Sequence, residues 1–270
     1  MPKVKVNDIE IYYEEYGKGP PVIMIPGWSG STKSYSAFAQ TFSKHFRFII
    51  FDNRGVGQSS KPDIEYTTRM MADDAAGFMD SIGLERANIF SGSMSGMIAQ
   101  ELAITHKEKV RKLVLASTSC GGPNSVPISM AVRETTDRYI DAPLEMTPRE
   151  RENLLLDIFY TQELLEERRE QLLKDRLTVR ELVSPPPSYA LRRQIEAVYR
   201  HDAYDRLSKI RAKTLIVHGK KDAIFPYENA LILAERIPDA EIKLYEKTGH
   251  FLAEEGEQIL KDIIDFIINQ

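Results

Sequence analysis

The chain of 270 residues has a single cysteine, Cys120, so no internal disulfide can staple it. Its stability must come from a buried apolar core, and folding does not depend on an oxidising compartment. No apolar run approaches the roughly 20 residues needed to cross a bilayer. The segment Met1-Pro2-Lys3-Val4-Lys5-Val6-Asn7-Asp8 is charged and alternating, without the apolar stretch of a secretory signal. The expectation is a soluble cytoplasmic protein with no membrane partner. Excess charge of one sign is also lacking: 36 Lys+Arg stand against 40 Asp+Glu, a formal net charge of −4. That balance provides no basic face for a nucleic-acid backbone. No cysteine–histidine cluster has zinc spacing, and no glycine-rich loop ends in the Lys-Ser/Thr of a phosphate cradle. Gly55-Val56-Gly57 lacks the third glycine of a dinucleotide fingerprint. Neither cofactor nor metal is expected.

What is present is an alternation of short apolar runs with amphipathic stretches, the pattern of a mostly parallel sheet covered by helices. Strands are expected at residues 22–25, 46–51, 87–90, 112–116, 213–218 and 241–245. Residues 3–6 and 10–15 alternate around Asn7-Asp8 and read as an opening hairpin. Helices are expected at 34–42, 68–82, 96–106, 227–236 and 256–268. The rhythm breaks once, between Ala116 and Lys213, where no strand pattern occurs. Helical stretches at 128–140, 149–159, 162–178 and 189–204 fill that interval. Gly121-Gly122-Pro123 opens it and Pro185-Pro186-Pro187 interrupts it. The organisation expected is a core of residues 1–120 and 206–270 with a helical lid of residues 121–205. The charge run Glu166-Glu167-Arg168-Arg169-Glu170 reads as a solvated helix face, and Leu164, Leu165, Leu172 and Leu173 as its apolar stripe.

The expected strand Ala87-Asn88-Ile89-Phe90 runs into Ser91-Gly92-Ser93-Met94-Ser95-Gly96 and then an apolar helix. A nucleophile at the apex of a sharp strand-to-helix turn needs small residues two positions to either side. Ser91 and Ser95 meet that need around Ser93. A serine hydroxyl attacks only if an imidazole removes its proton. Of the five histidines, His45 follows a charged helix end, His106 sits at a helix terminus and His201 lies on the insert. His218 ends a buried strand, where a hydrogen-bonded core role suits it. His250, in the loop Gly249-His250-Phe251 after a strand, is the candidate base. Asp222 follows a strand directly, at the sheet edge where open α/β sheets place their sites. Asp52 is the rival carboxylate, but its turn setting suits it to fixing a loop.

These motifs together resemble the α/β-hydrolase superfamily, over nearly the whole chain. Pro26-Gly27-Trp28 is similar to the family's oxyanion loop, with proline at the histidine position. Asp52-Asn53-Arg54-Gly55-Val56-Gly57-Gln58-Ser59 is similar to its D-x-R-G-x-G-x-S turn. Gly219-Lys220-Lys221-Asp222 resembles the acid-bearing loop and Gly249-His250-Phe251 the histidine loop. The order Ser93, Asp222, His250 is that of the family. The resemblance implies an eight-stranded sheet, an acyl-enzyme on Ser93, and an oxyanion held by the backbone amides of Trp28 and Met94. It does not choose among the reactions of the fold; a carboxylic ester or lactone is the favoured substrate.

Haloalkane dehalogenases and epoxide hydrolases of the fold carry aspartate where this chain has Ser93. Carbon–carbon hydrolysis and cofactor-free haloperoxidation stay open beside ester cleavage. A slowly turning ligand receptor and an acyltransferase stay open as other classes. Arg133, Arg138, Arg192 and Arg193 on the insert are candidates for a substrate carboxylate, against plain surface solvation.

Overall fold

The computed structural model describes residues 2–143, 145–252 and 256–269; residues 1, 144, 253–255 and 270 of the expected core and insert lie outside the described residues. Among the described residues eight strands make one sheet: β1 (Lys3–Val6), β2 (Ile9–Tyr16), β3 (Pro21–Ile25), β4 (Arg47–Phe51), β5 (Ala87–Gly92), β6 (Val110–Ala116), β7 (Lys213–Gly219) and β8 (Ala240–Tyr245). Their order is β1-β2-β4-β3-β5-β6-β7-β8. The β1–β2 and β2–β4 pairs are antiparallel and the rest are parallel, the expected mostly parallel sheet. The opening hairpin pairs Val6 with Ile9 across Asn7-Asp8. Asn7 supplies the left-handed backbone, at φ 50°, that a two-residue turn demands.

A parallel strand covered on both faces must be apolar throughout. Along β3, Val22 and Met24 pack with α1 (Ser36–Phe42) and α9 (Glu257–Ile268), through Phe42, Ile259 and Ile263. Ile23 and Ile25 pack on the other side with α2 (Thr68–Ser81), α3 (Met94–Thr105) and α8 (Glu228–Arg236), through Met71, Met97 and Leu233. Each such side chain stabilises the fold by about 1.5–3 kcal/mol. Among the described residues no helix is long and apolar enough to cross a membrane.

Between β6 and β7 lie α4 (Met130–Ile140), α5 (Pro148–Phe159), α6 (Gln162–Leu182) and α7 (Ser188–Arg200). α6 runs to Leu182, past the expected end at Thr178, because no breaker precedes Pro185. α7 stops at Arg200, short of the expected Tyr204. The residues after it turn back to the core: Gly121 bridges Asp202, and Ala203 N–H donates to the Cys120 carbonyl at 2.9 Å. Gly121, at φ 66°, admits that approach; a Cβ there would sit 2.0 Å from the His201 carbonyl oxygen. Where 34–42 reads as one helix, residues Thr32–Tyr35 form a separate 3-10 turn. Asp52 Oδ1, accepting the Thr32 N–H at 2.6 Å, anchors that turn.

At the neck of the insert His201 is buried, with Nδ1 2.9 Å from Thr68 Oγ1 and 3.8 Å from Glu101. Burial, reinforced by Arg206, pushes the imidazole down to about 3 from an ordinary 6.5. Between those values the unfolded chain binds the proton and the native one does not, so stability rises with pH. The contribution is whole above about 6.5 and is lost as pH falls toward 3. The melting temperature should therefore decline on acidification from pH 6.5 to 5, before most carboxylates titrate, and His201→Asn should flatten that decline. An unaltered slope in the variant would contradict the assignment.

Candidate active site

Ser93 joins β5 to α3 at φ 58°, ψ −132°, a strained apex for a residue with a side chain. The turn is held from several sides. Ser93 N–H donates to the carbonyls of Ala116 (2.9 Å) and Ser117 (3.2 Å), and Thr118 Oγ1 donates to the Ser93 carbonyl at 2.8 Å. Ser95 is used for more than its size: its hydroxyl donates to the Gly92 carbonyl at 2.7 Å and lies 3.0 Å from the Gly92 amide. α3 begins at Met94, two residues before the expected Gly96, so the Met94 amide is in the first helical turn. That position favours negative charge.

Gly96 matters because Thr118 lies against it. A Cβ at Gly96 would come within 2.5 Å of Thr118 Oγ1 and 2.6 Å of its Cβ and Cγ2. In an open helix Gly→Ala stabilises by about 1 kcal/mol. Here Thr118 is held by Ser93, and overpacking costs about 1–3 kcal/mol. Gly96→Ala should therefore lower the melting temperature and reduce turnover; a variant more stable than the parent would show that Thr118 gives way freely.

Asp222 and His250 come together from the loops after β7 and β8. His250 Nδ1 lies 2.9 Å from Asp222 Oδ2. The carboxylate only accepts, so Nδ1 carries a proton shared with Asp222. Asp222 Oδ1 accepts the amides of Ile224 (2.8 Å) and Phe225 (3.0 Å). Burial opposes ionisation, but the charge of His250 and the hydrogen bonds from His218 and His250 outweigh it. The Asp222 carboxyl is held well below the usual carboxylate range. The rings of Phe159 and Phe225 stand 5.9 and 6.0 Å from that of His250, and His250 is 7% exposed.

Ser93, His250, Trp28 and Met94 line one cleft of about 630 Å³, with Val132, Ile195 and Phe225 among its apolar walls. No hydrogen bond joins the Ser93 hydroxyl to His250 among the described residues; such bonds often close only with substrate present. Nor do the amides of Trp28 and Met94 donate to any acceptor among the described residues. Trp28 is fixed by its side chain, whose Nε1–H donates to the Leu191 carbonyl at 3.1 Å. Asn53 Nδ2 donates to the Pro26 carbonyl at 2.7 Å. Gln194, fully buried on α7, accepts the Ser29 amide at 3.1 Å and donates to the Arg54 carbonyl at 2.9 Å.

Asp52 holds backbone amides at Thr32 (2.6 Å) and Gln58 (2.7 Å), the loop-fixing role expected of it. His218 does more than fill core. Its Nε2 lies 2.8 Å from the Phe225 carbonyl and 3.3 Å from Asp222 Oδ2, while Nδ1 is buried without a partner. Nε2 carries a proton, because it faces two oxygen acceptors that have none to give. Of the four candidate arginines, Arg192 pairs with Asp137 and Asp141, and Arg193 with Asp63 and Glu196. Arg133 sits over the Tyr199 ring and Arg138 is exposed. Arg176 and Arg180, both paired with buried Glu152, instead line a space adjoining the cleft. Among the described residues no group of three or more His, Cys, Asp or Glu could hold a metal ion.

The family model described as the alpha/beta hydrolase fold matches residues 20–257. The AB hydrolase superfamily protein YisY of Bacillus subtilis is 30% identical over 96% of this chain and 95% of its own. A 2-hydroxy-6-oxo-6-phenylhexa-2,4-dienoate hydrolase of Comamonas testosteroni is 26% identical over 97% of this chain and 92% of its own. Among solved structures, an esterase from Exiguobacterium antarcticum superposes with a TM-score of 0.80 at 27% identity, covering 98% of each chain.

Proposed function

The chain belongs to the α/β-hydrolase fold family, and from that premise we propose that it is a serine hydrolase cleaving a small carboxylic ester or lactone. The observation that carries the reading is the Asp222–His250 pair, at 2.9 Å, whose imidazole lines the same cleft as the strained Ser93. His250 Nε2 takes the Ser93 proton as Oγ attacks the carbonyl carbon. The oxyanion that forms is met by the amides of Trp28 and Met94. His250 returns the proton to the leaving alkoxide, whose bond to carbon breaks to give the acyl-enzyme. Water, deprotonated by the same imidazole, then releases the acid and restores Ser93.

The helices of residues 121–205 act in this reading as a lid: Val132, Ile195 and Val198 wall the cleft and set which acyl or alcohol groups fit. A cytoplasmic setting belongs to the same proposal, since the one cysteine is buried and has no partner to pair with. A second reading, hydrolysis of a carbon–carbon bond beside a carbonyl, is favoured by the likeness to the Comamonas testosteroni dienoate hydrolase. A fluorophosphonate should label the protein on the peptide that carries Ser93. A series of p-nitrophenyl esters, an enol-lactone and a β-diketone would then rank the bonds cleaved. Absence of label, or label elsewhere, overturns the nucleophile; turnover of the β-diketone above every ester selects the second reading.

A further inference from the structure

Tyr35 ends the 3-10 turn Thr32–Tyr35, which Asp52 anchors at its first amide and which Ser31 and Ser34 close with hydrogen bonds in both directions. Its hydroxyl oxygen accepts the Gly27 N–H at 3.1 Å. A phenol that accepts still has its own proton to donate. Among the described residues nothing accepts that proton. The ring lines the cleft that holds Ser93, Met94 and His250. A Cβ on Gly27 would lie 3.5 Å from Tyr35 Oη and 3.6 Å from Ser93 Cβ, so phenol, oxyanion loop and nucleophile converge. Burial raises the phenol's pKa above its ordinary value, although the Gly27 bond and Arg176 oppose the rise. Tyr35 therefore stays a neutral donor at neutral pH.

We propose that Tyr35 donates its O–H to the reacting carbonyl oxygen of the substrate, as a third donor beside the amides of Trp28 and Met94. The proton stays on the phenol throughout. The donation tightens as negative charge builds on that oxygen, which is the condition for accelerating the chemical step. Because Gly27 N–H already donates to Oη, the phenol is polarised toward giving its own proton. The assignment rests on Ser93 being the nucleophile.

Tyr35→Phe should lower kcat about 100-fold with little change in KM, the scale of losing one oxyanion donor. Phenylalanine also leaves the Gly27 amide unmet, so a second variant separates donation from loop support. A ring-fluorinated tyrosine at position 35 keeps the shape and lowers the phenol pKa. Its phenolate accepts from Gly27 better than the phenol does, but it cannot donate. A donor role therefore predicts a new falling limb in kcat as the fluorinated phenol ionises, and unchanged fluorophosphonate labelling of Ser93 below that limb. Full kcat in Tyr35→Phe, or no new limb in the fluorinated protein, overturns the proposal. Activity persisting in Ser93→Ala would instead overturn the nucleophile assignment on which it stands.

Discussion

Alanine in place of Ser93 should abolish hydrolysis, lowering kcat by about six orders of magnitude, the scale seen when a serine hydrolase loses its nucleophile. Without the hydroxyl there is no acyl-enzyme, and water would have to attack a bound ester directly. The amides of Trp28 and Met94 would remain, so a residual rate about 10³–10⁴-fold above the uncatalysed one is expected. The fold should not suffer. The turn is held by main-chain groups that alanine keeps: the Ser93 amide to Ala116 and Ser117, and its carbonyl to Thr118 Oγ1. The φ of 58° costs alanine what it costs serine. Melting temperature, substrate affinity and the cleft should all be preserved while fluorophosphonate labelling vanishes. A variant that keeps even a few per cent of the rate would mean that the nucleophile lies elsewhere.

The sheet was legible because its strands obey a simple rule. Runs such as Phe48-Ile49-Ile50-Phe51 are apolar on both faces, as strands covered on both sides must be. The elbow was legible because strand, small residues and helix follow one another within a few positions. Asp222 and His250 could be placed from the loops after two strands, although only the fold brings their side chains to 2.9 Å. What escaped were long-range polar contacts. Gln194 reads as one residue of an amphipathic helix, and nothing in its period tells that it holds Ser29, 165 positions away. Asn53 was visible only as a turn residue, and Tyr35 only as part of a helix. Periodicity fixes which face is buried, not which partner a buried polar group finds. The end of α7 was misplaced for the same reason: its period continues past Arg200, but the pairing of residues 202 and 203 with Cys120 and Gly121 takes the backbone away.

Those contacts change what the helices of the insert do. Leu191 and Gln194 of α7 hold Trp28 and Ser29, and Gln194 also holds the chain at Arg54. One helix thus closes a wall of the cleft through Ile195 and Val198 and fixes the loop whose amide faces the reacting oxygen in the proposed mechanism. Buried polar contacts of this kind tolerate little displacement, because each broken one leaves an unmet group. In the proposed mechanism, substrate fit and oxyanion geometry are therefore coupled through α7.

Asp222→Asn should cost about 10⁴-fold in kcat, with the substrate still bound. Asparagine fits the space, so the effect comes from the hydrogen-bond pattern. Oδ1 accepts two backbone amides, from Ile224 and Phe225, and those donors cannot change sign. The amide oxygen must therefore take the Oδ1 place and the NH2 group the Oδ2 place. There it faces His250 Nδ1 at 2.9 Å and His218 Nε2 at 3.3 Å. His218 already gives its Nε2 proton to Phe225, so it meets the new NH2 as donor to donor. His250 can relieve the conflict only by accepting at Nδ1, which moves its proton to Nε2. In that tautomer the imidazole presents a proton to Ser93 and cannot take one away. The wild-type carboxyl, held below the usual carboxylate range, contributes stability that is whole above that range and is lost as pH falls through its native value. The melting temperatures of wild type and variant should accordingly converge on acidification, while at neutral pH the variant melts lower and labels slowly at Ser93. Equal turnover in Asp222→Asn would show that the imidazole is oriented by another group. Asp52 is not the ready substitute, because its two oxygens are occupied by the Thr32 and Gln58 amides.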